Sequence, residues 1–167
     1  ERIVHLIGDR ARQLWMGTFH SVFSKILRFE AEKIGFGKDF TIYDTSDAES
    51  MIKQILKELG FDPKEIRPRT LQYKISDAKN QLVNPDTYNE RFVKSTLDDI
   101  MSRVYSIYQE RLKLNNAMDF DDLLIRPIQL FEEHPDVLDQ YQDRFKYIMI
   151  DEYQDTNHAP YKVTKML

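Results

Sequence analysis

Cysteine is absent from the 167 residues. That excludes disulfides, thiolate metal sites and cysteine nucleophiles, and it fits a reducing compartment. No apolar run comes near the ~20 residues that cross a bilayer. The basic, apolar and small-residue succession of a secretory leader does not open the chain. Positive charge is not in excess either: 24 Lys and Arg stand against 28 Asp and Glu, for a net charge of −4. General polyanion binders are usually basic, so a nucleic-acid contact would have to come from a local surface. His5, His20, His134 and His158 are scattered, without the spacing of zinc ligands. Internal repeats and low-complexity segments are lacking as well.

What remains is 41% hydrophobic and 31% charged, the balance of a soluble globular chain with a real core. The length fits one domain, or one core with an inserted lobe. A start at Glu1 rather than Met, and a stop at Leu167 within a helix-like run, lead us to expect a piece of something longer.

"LWMGTF" (14–19) is short and apolar and reads as a buried strand. Val22, Phe23, Ile26, Leu27 and Ile34 then recur at helical spacing up to Gly35, placed as a C-cap. "FTIYD" is a brief extended link. In "SDAESMIKQILKELG", Ser46 and Glu49 match a capping box, Ala48, Met51, Ile52, Ile55, Leu56 and Leu59 form one stripe, and Gly60 ends the helix. Leu71, Ile75, Ala78 and Leu82 carry another helical stripe, and a long helical pattern runs from about Tyr88 to Leu114. "NNAMDFDDLLIRPIQLF" opens a helix with acids in its first turn, where they meet the positive dipole end. Pro135 starts a short helix, "YIMI" (147–150) reads as a strand, and a last helix begins near His158. The predicted fold is mainly α with a small parallel β component: an α/β core interrupted by an α-helical insertion.

Four stretches offer candidate chemistry. "YIMI" lacks polar alternation, as a central parallel strand covered on both faces would. Asp151 and Glu152 follow at its carboxyl end, where ligands of open α/β sheets bind. One carboxylate there can hold a hydrated Mg²⁺, and its neighbour can activate a water for phosphoryl transfer. The competing reading is a solvated strand end.

"GTFHS" (17–21) offers a hydroxyl, an aromatic and an imidazole that together can grip a nucleic-acid backbone and stack a base. Thr18 or Ser21 as a helix cap explains it more simply. Asp119, Asp121 and Asp122 are explained most simply by capping and dipole complementation. The stretch 61–81 sets Lys64, Arg67, Arg69, Lys74 and Lys79 against three acids. It reads as an ordinary solvated face that could also contact phosphates.

Taken in order, "WMGTFHS", "AMDFDDLL" and "YIMIDEYQDTN" resemble the superfamily 1 DNA helicases of the UvrD/PcrA/Rep type, and the likeness covers nearly the whole chain. "SDAKN" and "VYSIYQERL" between them agree with it. The resemblance implies part of a P-loop NTPase (RecA-like) core of the first motor domain with a helical insertion: 1–41 as its N-terminal part, 42–116 as the insertion, 117–167 as the return. It makes Asp151 the acid that coordinates the Mg²⁺ of MgATP and Glu152 the residue that activates the hydrolytic water. Gln154 and Asp155 would link the nucleotide site to DNA, with Gln154 at the cofactor. Thr18, Phe19 and His20 match a motif that contacts single-stranded DNA.

The implied whole protein is a cytoplasmic, ATP-driven 3′→5′ helicase of repair or replication, acting on single strands and single/double-strand junctions, with no membrane partner. Pro160 departs from the family, which more often has Gln, and this affects the start of the last helix. No G-x-x-x-x-G-K-[ST] phosphate loop occurs in these residues. The chain by itself is therefore expected to lack ATPase activity and to hold no tightly bound cofactor. The alternatives are a stand-alone helical interaction module and a carboxylate-metal nuclease using Asp151, Glu152 and Asp155.

Overall fold

The computed structural model describes residues 8, 14–151 and 158–167. Helix α1 (Phe19–Glu30) starts where the extended Thr18 side chain accepts a hydrogen bond from the Ser21 N–H, and it buries Phe23, Ile26 and Leu27. A 3₁₀ turn (Ala31–Ile34) follows and closes on Gly35, whose φ of 78° is left-handed. Glycine suits that position because it has no Cβ to clash there. Strand β1 (Thr41–Tyr43) leads into α2 (Thr45–Glu58). Next come α3 (Pro68–Asn80), α4 (Pro85–Phe92) and α5 (Thr96–Leu114). Strand β2 (Ala117–Asp119) precedes α6 (Phe120–Glu133), α7 (Pro135–Arg144) and α8 (His158–Met166).

β1 and β2 pair in parallel, with Thr41, Ile42 and Tyr43 opposite Ala117, Met118 and Asp119. The helical stretch between them thus leaves and returns at adjacent strands. Two apolar clusters form on either side of this pair. One joins α1, the 3₁₀ turn, Phe36, Phe40, Met118 and α6 to α8. The other joins α2, α3, α5 and Ala117. Each fully buried Leu or Ile contributes about 1.5–3 kcal/mol by leaving water, so both clusters act as cores.

The prediction of a mainly helical chain with a small parallel sheet agrees with this architecture, but the strands lie elsewhere. Residues 14–18 form no strand; Thr18 caps α1, and Leu14 and Met16 are exposed. "YIMI" forms none either, with Tyr147 91% and Met149 96% exposed. An apolar run becomes a strand only where neighbours take up its backbone N–H and C=O groups, and among the described residues neither run has such a neighbour.

Three smaller differences have equally local causes. The capping box of α2 is made by Asp44 and Asp47, so Ser46 and Glu49 lie inside the helix. The long pattern from Tyr88 breaks after Phe92, and Ser95 caps α5 afresh. The segment 117–119 is strand before its helix begins. Pro160 is buried in the first turn of α8, which begins at His158 as expected.

Candidate nucleic-acid interface and the buried junction

Two of the three stretches that carry the resemblance meet in space. Thr18 Oγ1 accepts from the Ser21 N–H at 3.3 Å, and Ser21 Oγ donates to the Thr18 carbonyl at 2.8 Å. The capping role of Thr18 is therefore real, and it fixes the exposed turn that holds the motif. Phe19 is half-buried against Phe23, with ring centroids 5.6 Å apart. The half-buried ring of His20 stands edge-on to Phe120, at 5.8 Å and 88°. "GTFHS" and "DFDDLL" thus form one surface, in which His20 and the half-exposed Phe120 adjoin.

The third stretch is only partly described. Asp151 is exposed at a bend after the half-buried Ile150. Glu152, Gln154 and Asp155 lie outside the described residues. Among the described residues no group of three His, Cys, Asp or Glu is placed to hold a metal. No described helix is long and apolar enough to cross a membrane.

Beneath the His20–Phe120 contact lies a buried ionic cluster that sequence reading missed. Lys79, assigned above to a solvated face, is fully buried. Its Nζ lies 2.7 Å from Asp119 Oδ2 and 3.2 Å from Asp122 Oδ2. The two acids also build the capping box of α6: Asp122 N–H donates to Asp119 Oδ1 at 2.8 Å, and Asp119 N–H donates to Asp122 Oδ2 at 3.3 Å. Tyr108 donates its hydroxyl to Asp119 at 2.9 Å, Gln109 donates to Asp122 at 3.1 Å, and Arg126 Nε sits 3.4 Å from Asp122. Asp121 Oδ1 accepts from Ser76 and Asn80, at 3.0 and 3.2 Å. Capping explains Asp119 and Asp122 as expected, but the capping acids double as partners of a buried cation.

Electrostatics divides the two acids. Burial pushes Asp119 up and the Asp122 charge adds to it, so that it titrates at about 6. Burial would raise Asp122 too, but Lys79 and Arg126 hold it below the usual carboxylate range. Burial would lower Lys79; the two carboxylates outweigh it and hold the ammonium above the usual lysine range. Burial and Asp119 push Tyr108 well above the ordinary phenol range, so it stays a donor. Such a cluster adds little net stability but is costly to break, because a lost partner strands a buried charge. It ties α3 and α5 of one core to β2 and α6 of the other.

A signal for Lys79 was present in the sequence. Ile75, Ala78, Lys79 and Leu82 follow the spacing of a buried helical face. A lysine in such a row calls for buried acids elsewhere.

Comparison with known proteins finds relatives along the full chain. The profile of the UvrD/REP helicase N-terminal domain family matches residues 1–167. The chain is 44% identical over 167 residues to the ATP-dependent DNA helicase PcrA of Bacillus subtilis (strain 168), covering 100% of this chain and 22% of that protein. It is 45% identical over 168 residues to PcrA of Staphylococcus aureus (strain Mu50), covering 100% of this chain and 23% of that one. The chain spans less than a quarter of the length of these curated relatives.

Proposed function

This chain belongs to the UvrD/REP helicase N-terminal domain family, and from that membership we propose that it is part of the ATP-driven motor of a DNA helicase, moving 3′→5′ on single strands in repair or replication. The observation that carries the proposal is the identity of 44–45% along the entire chain to ATP-dependent DNA helicases. Residues 1–41 and 117–167 belong to a RecA-like motor domain, and 42–116 form its helical insertion. The division into two apolar clusters, hinged at adjacent parallel strands, supports that boundary.

Asp151 has the hard oxygen donor and the exposure that a Mg²⁺ retaining most of its waters takes, and the ion neutralises phosphate charge when bound with ATP. Glu152 accepts the proton of the attacking water, and Gln154 relays the state of that site to the DNA. Thr18, Phe19 and His20 contact the single strand; the cap at Thr18 and the packing of both rings support this by holding the edge rigid. A junction between single and double strands is the substrate of the whole protein, in the cytoplasm.

Without backbone amides and a lysine to cradle the phosphates, these 167 residues alone do not turn over ATP. The test is ATP hydrolysis by the 167-residue chain with and without single-stranded DNA. We expect no turnover in either case. DNA-stimulated hydrolysis that disappears in Glu152→Gln would overturn the expectation.

A further inference from the structure

Phe120 is half-exposed, yet the acids on both sides of it are held from one direction. Lys79 Nζ meets Asp119 and Asp122, at 2.7 and 3.2 Å. Ser76 and Asn80, on the same helix α3, donate to Asp121 Oδ1 at 3.0 and 3.2 Å. Tyr108 and Gln109 of α5 donate to Asp119 and Asp122. Among the described residues, the side chains that bind these three acids from outside β2 and α6 all lie on α3 and α5. The first turn of α6 is thus gripped from the helical insertion, although the rest of α6 packs in the other core, along α1.

His20 depends on that turn. It stands at the second position of α1, after the Thr18 cap. Among the described residues, Phe120 is the one ring that the imidazole packs on, edge-on at 5.8 Å. Stability does not account for the ionic cluster, because apolar side chains of similar volume would hold the two helices together as well. What the cluster adds is a single arrangement. A small shift breaks directional bonds to charge, whereas apolar contacts tolerate it.

We propose that Lys79 is a positioning residue: through Asp119 and Asp122 it sets the first turn of α6, and with it the Phe120 ring against which His20 stands. Lys79 is fully buried and touches no ligand itself. A displacement of α3 is passed along these bonds to His20, so the insertion governs an edge that belongs to the motor core. This role at the DNA rests on the reading of Thr18–His20 as a single-strand contact.

The experiment compares the unmodified 167-residue chain with Lys79→Met, at a temperature where circular dichroism shows both folded. Each is titrated with fluorescein-labelled oligo(dT), and the histidine ring resonances are recorded by NMR. Lys79→Met is expected to weaken binding about fivefold at unchanged stoichiometry. It is also expected to shift the His20 ring resonances while those of His134 stay in place. A purely structural role would lower the bound fraction and leave the dissociation constant of the folded molecules alone. In a His20→Ala background, Lys79→Met is expected to cost nothing further; losses that add overturn the proposal. So do unmoved His20 resonances, or an equal weakening by Arg28→Ala, which removes two hydrogen bonds remote from this edge. If His20→Ala weakens binding and Lys79→Met does not, the positioning fails and the Thr18–His20 reading stands. If the unmodified chain binds no DNA, that reading fails, and the His20 resonances decide the positioning by themselves. Where Lys79→Met does not fold, Lys79→Gln, which keeps a donor for one carboxylate, takes its place.

Discussion

Replacing Lys79 with Met removes the cation that faces both buried acids of the junction while keeping the length of the side chain. Two contacts go, at 2.7 Å to Asp119 and 3.2 Å to Asp122, together with the ammonium 5.3 Å over the Tyr108 ring. Asp122 retains Arg126 and Gln109, and Asp119 retains the Tyr108 hydroxyl. Stranding buried charge in this way costs about 3–5 kcal/mol, out of the ~5–15 kcal/mol that hold a typical domain together. At this chain length the melting temperature should drop by roughly 10 °C.

The sign of the pH dependence follows from the shifts. Lys79 is raised, so its contribution is complete below its ordinary 10.5 and is lost only as pH rises through the higher folded value. At pH 7 the loss on substitution is therefore full. It shrinks in acid, where Asp119 becomes neutral and no longer needs a cation, while Asp122, held below the usual carboxylate range, keeps its charge beside Arg126. Urea denaturation at pH 7 and pH 4, followed by circular dichroism and by the fluorescence of the single Trp15, measures this. A destabilisation below about 1 kcal/mol at pH 7 would refute the claim that Lys79 holds the junction.

Asp119→Asn keeps a capping side chain but removes the group that titrates at about 6. In the unmodified chain the folded form binds this proton more tightly than the unfolded form, so stability falls as pH rises from about 4 to 6 and levels off above. The variant should show a flatter stability profile across that window, measured by urea midpoints; an unchanged slope would count against the assignment. Arg28 donates to the carbonyls of Lys38 and Phe40, at 2.8 and 2.6 Å, and lies 3.8 Å over the Phe40 ring. Arg28→Ala should cost roughly 2 kcal/mol by the same denaturation, because it unties the loop that delivers β1.

Helices were legible because each combines an apolar stripe with a cap or a punctuating residue. Gly60 illustrates this: its φ of 83° closes α2, where the Phe61 N–H returns to the Leu56 carbonyl at 2.9 Å. The strands were not legible, for opposite reasons. "TIY" and "AMD" are three residues each, too short for periodicity to identify, while "YIMI" reads as a strand by composition alone. Asp44 and Asp47 fit the capping-box spacing two residues before Ser46 and Glu49, and only the geometry decides between them. At the candidate interface, sequence identified the residues of "GTFHS" but not that His20 meets Phe120, 100 positions away. The acids of "DFDDLL" were recognised as caps, while their shared cation was hidden in a segment whose other charges face water.

In the proposed function, Asp151 and Glu152 serve ATP hydrolysis. The most direct measurement grafts these 167 residues in place of the matching segment of B. subtilis PcrA, to which they are 44% identical, and follows ATP hydrolysis as single-stranded DNA is added. DNA-stimulated hydrolysis is expected, falling by about a hundredfold or more in Glu152→Gln with binding of single-stranded DNA retained. Full hydrolysis by the Glu152→Gln chimera would contradict it.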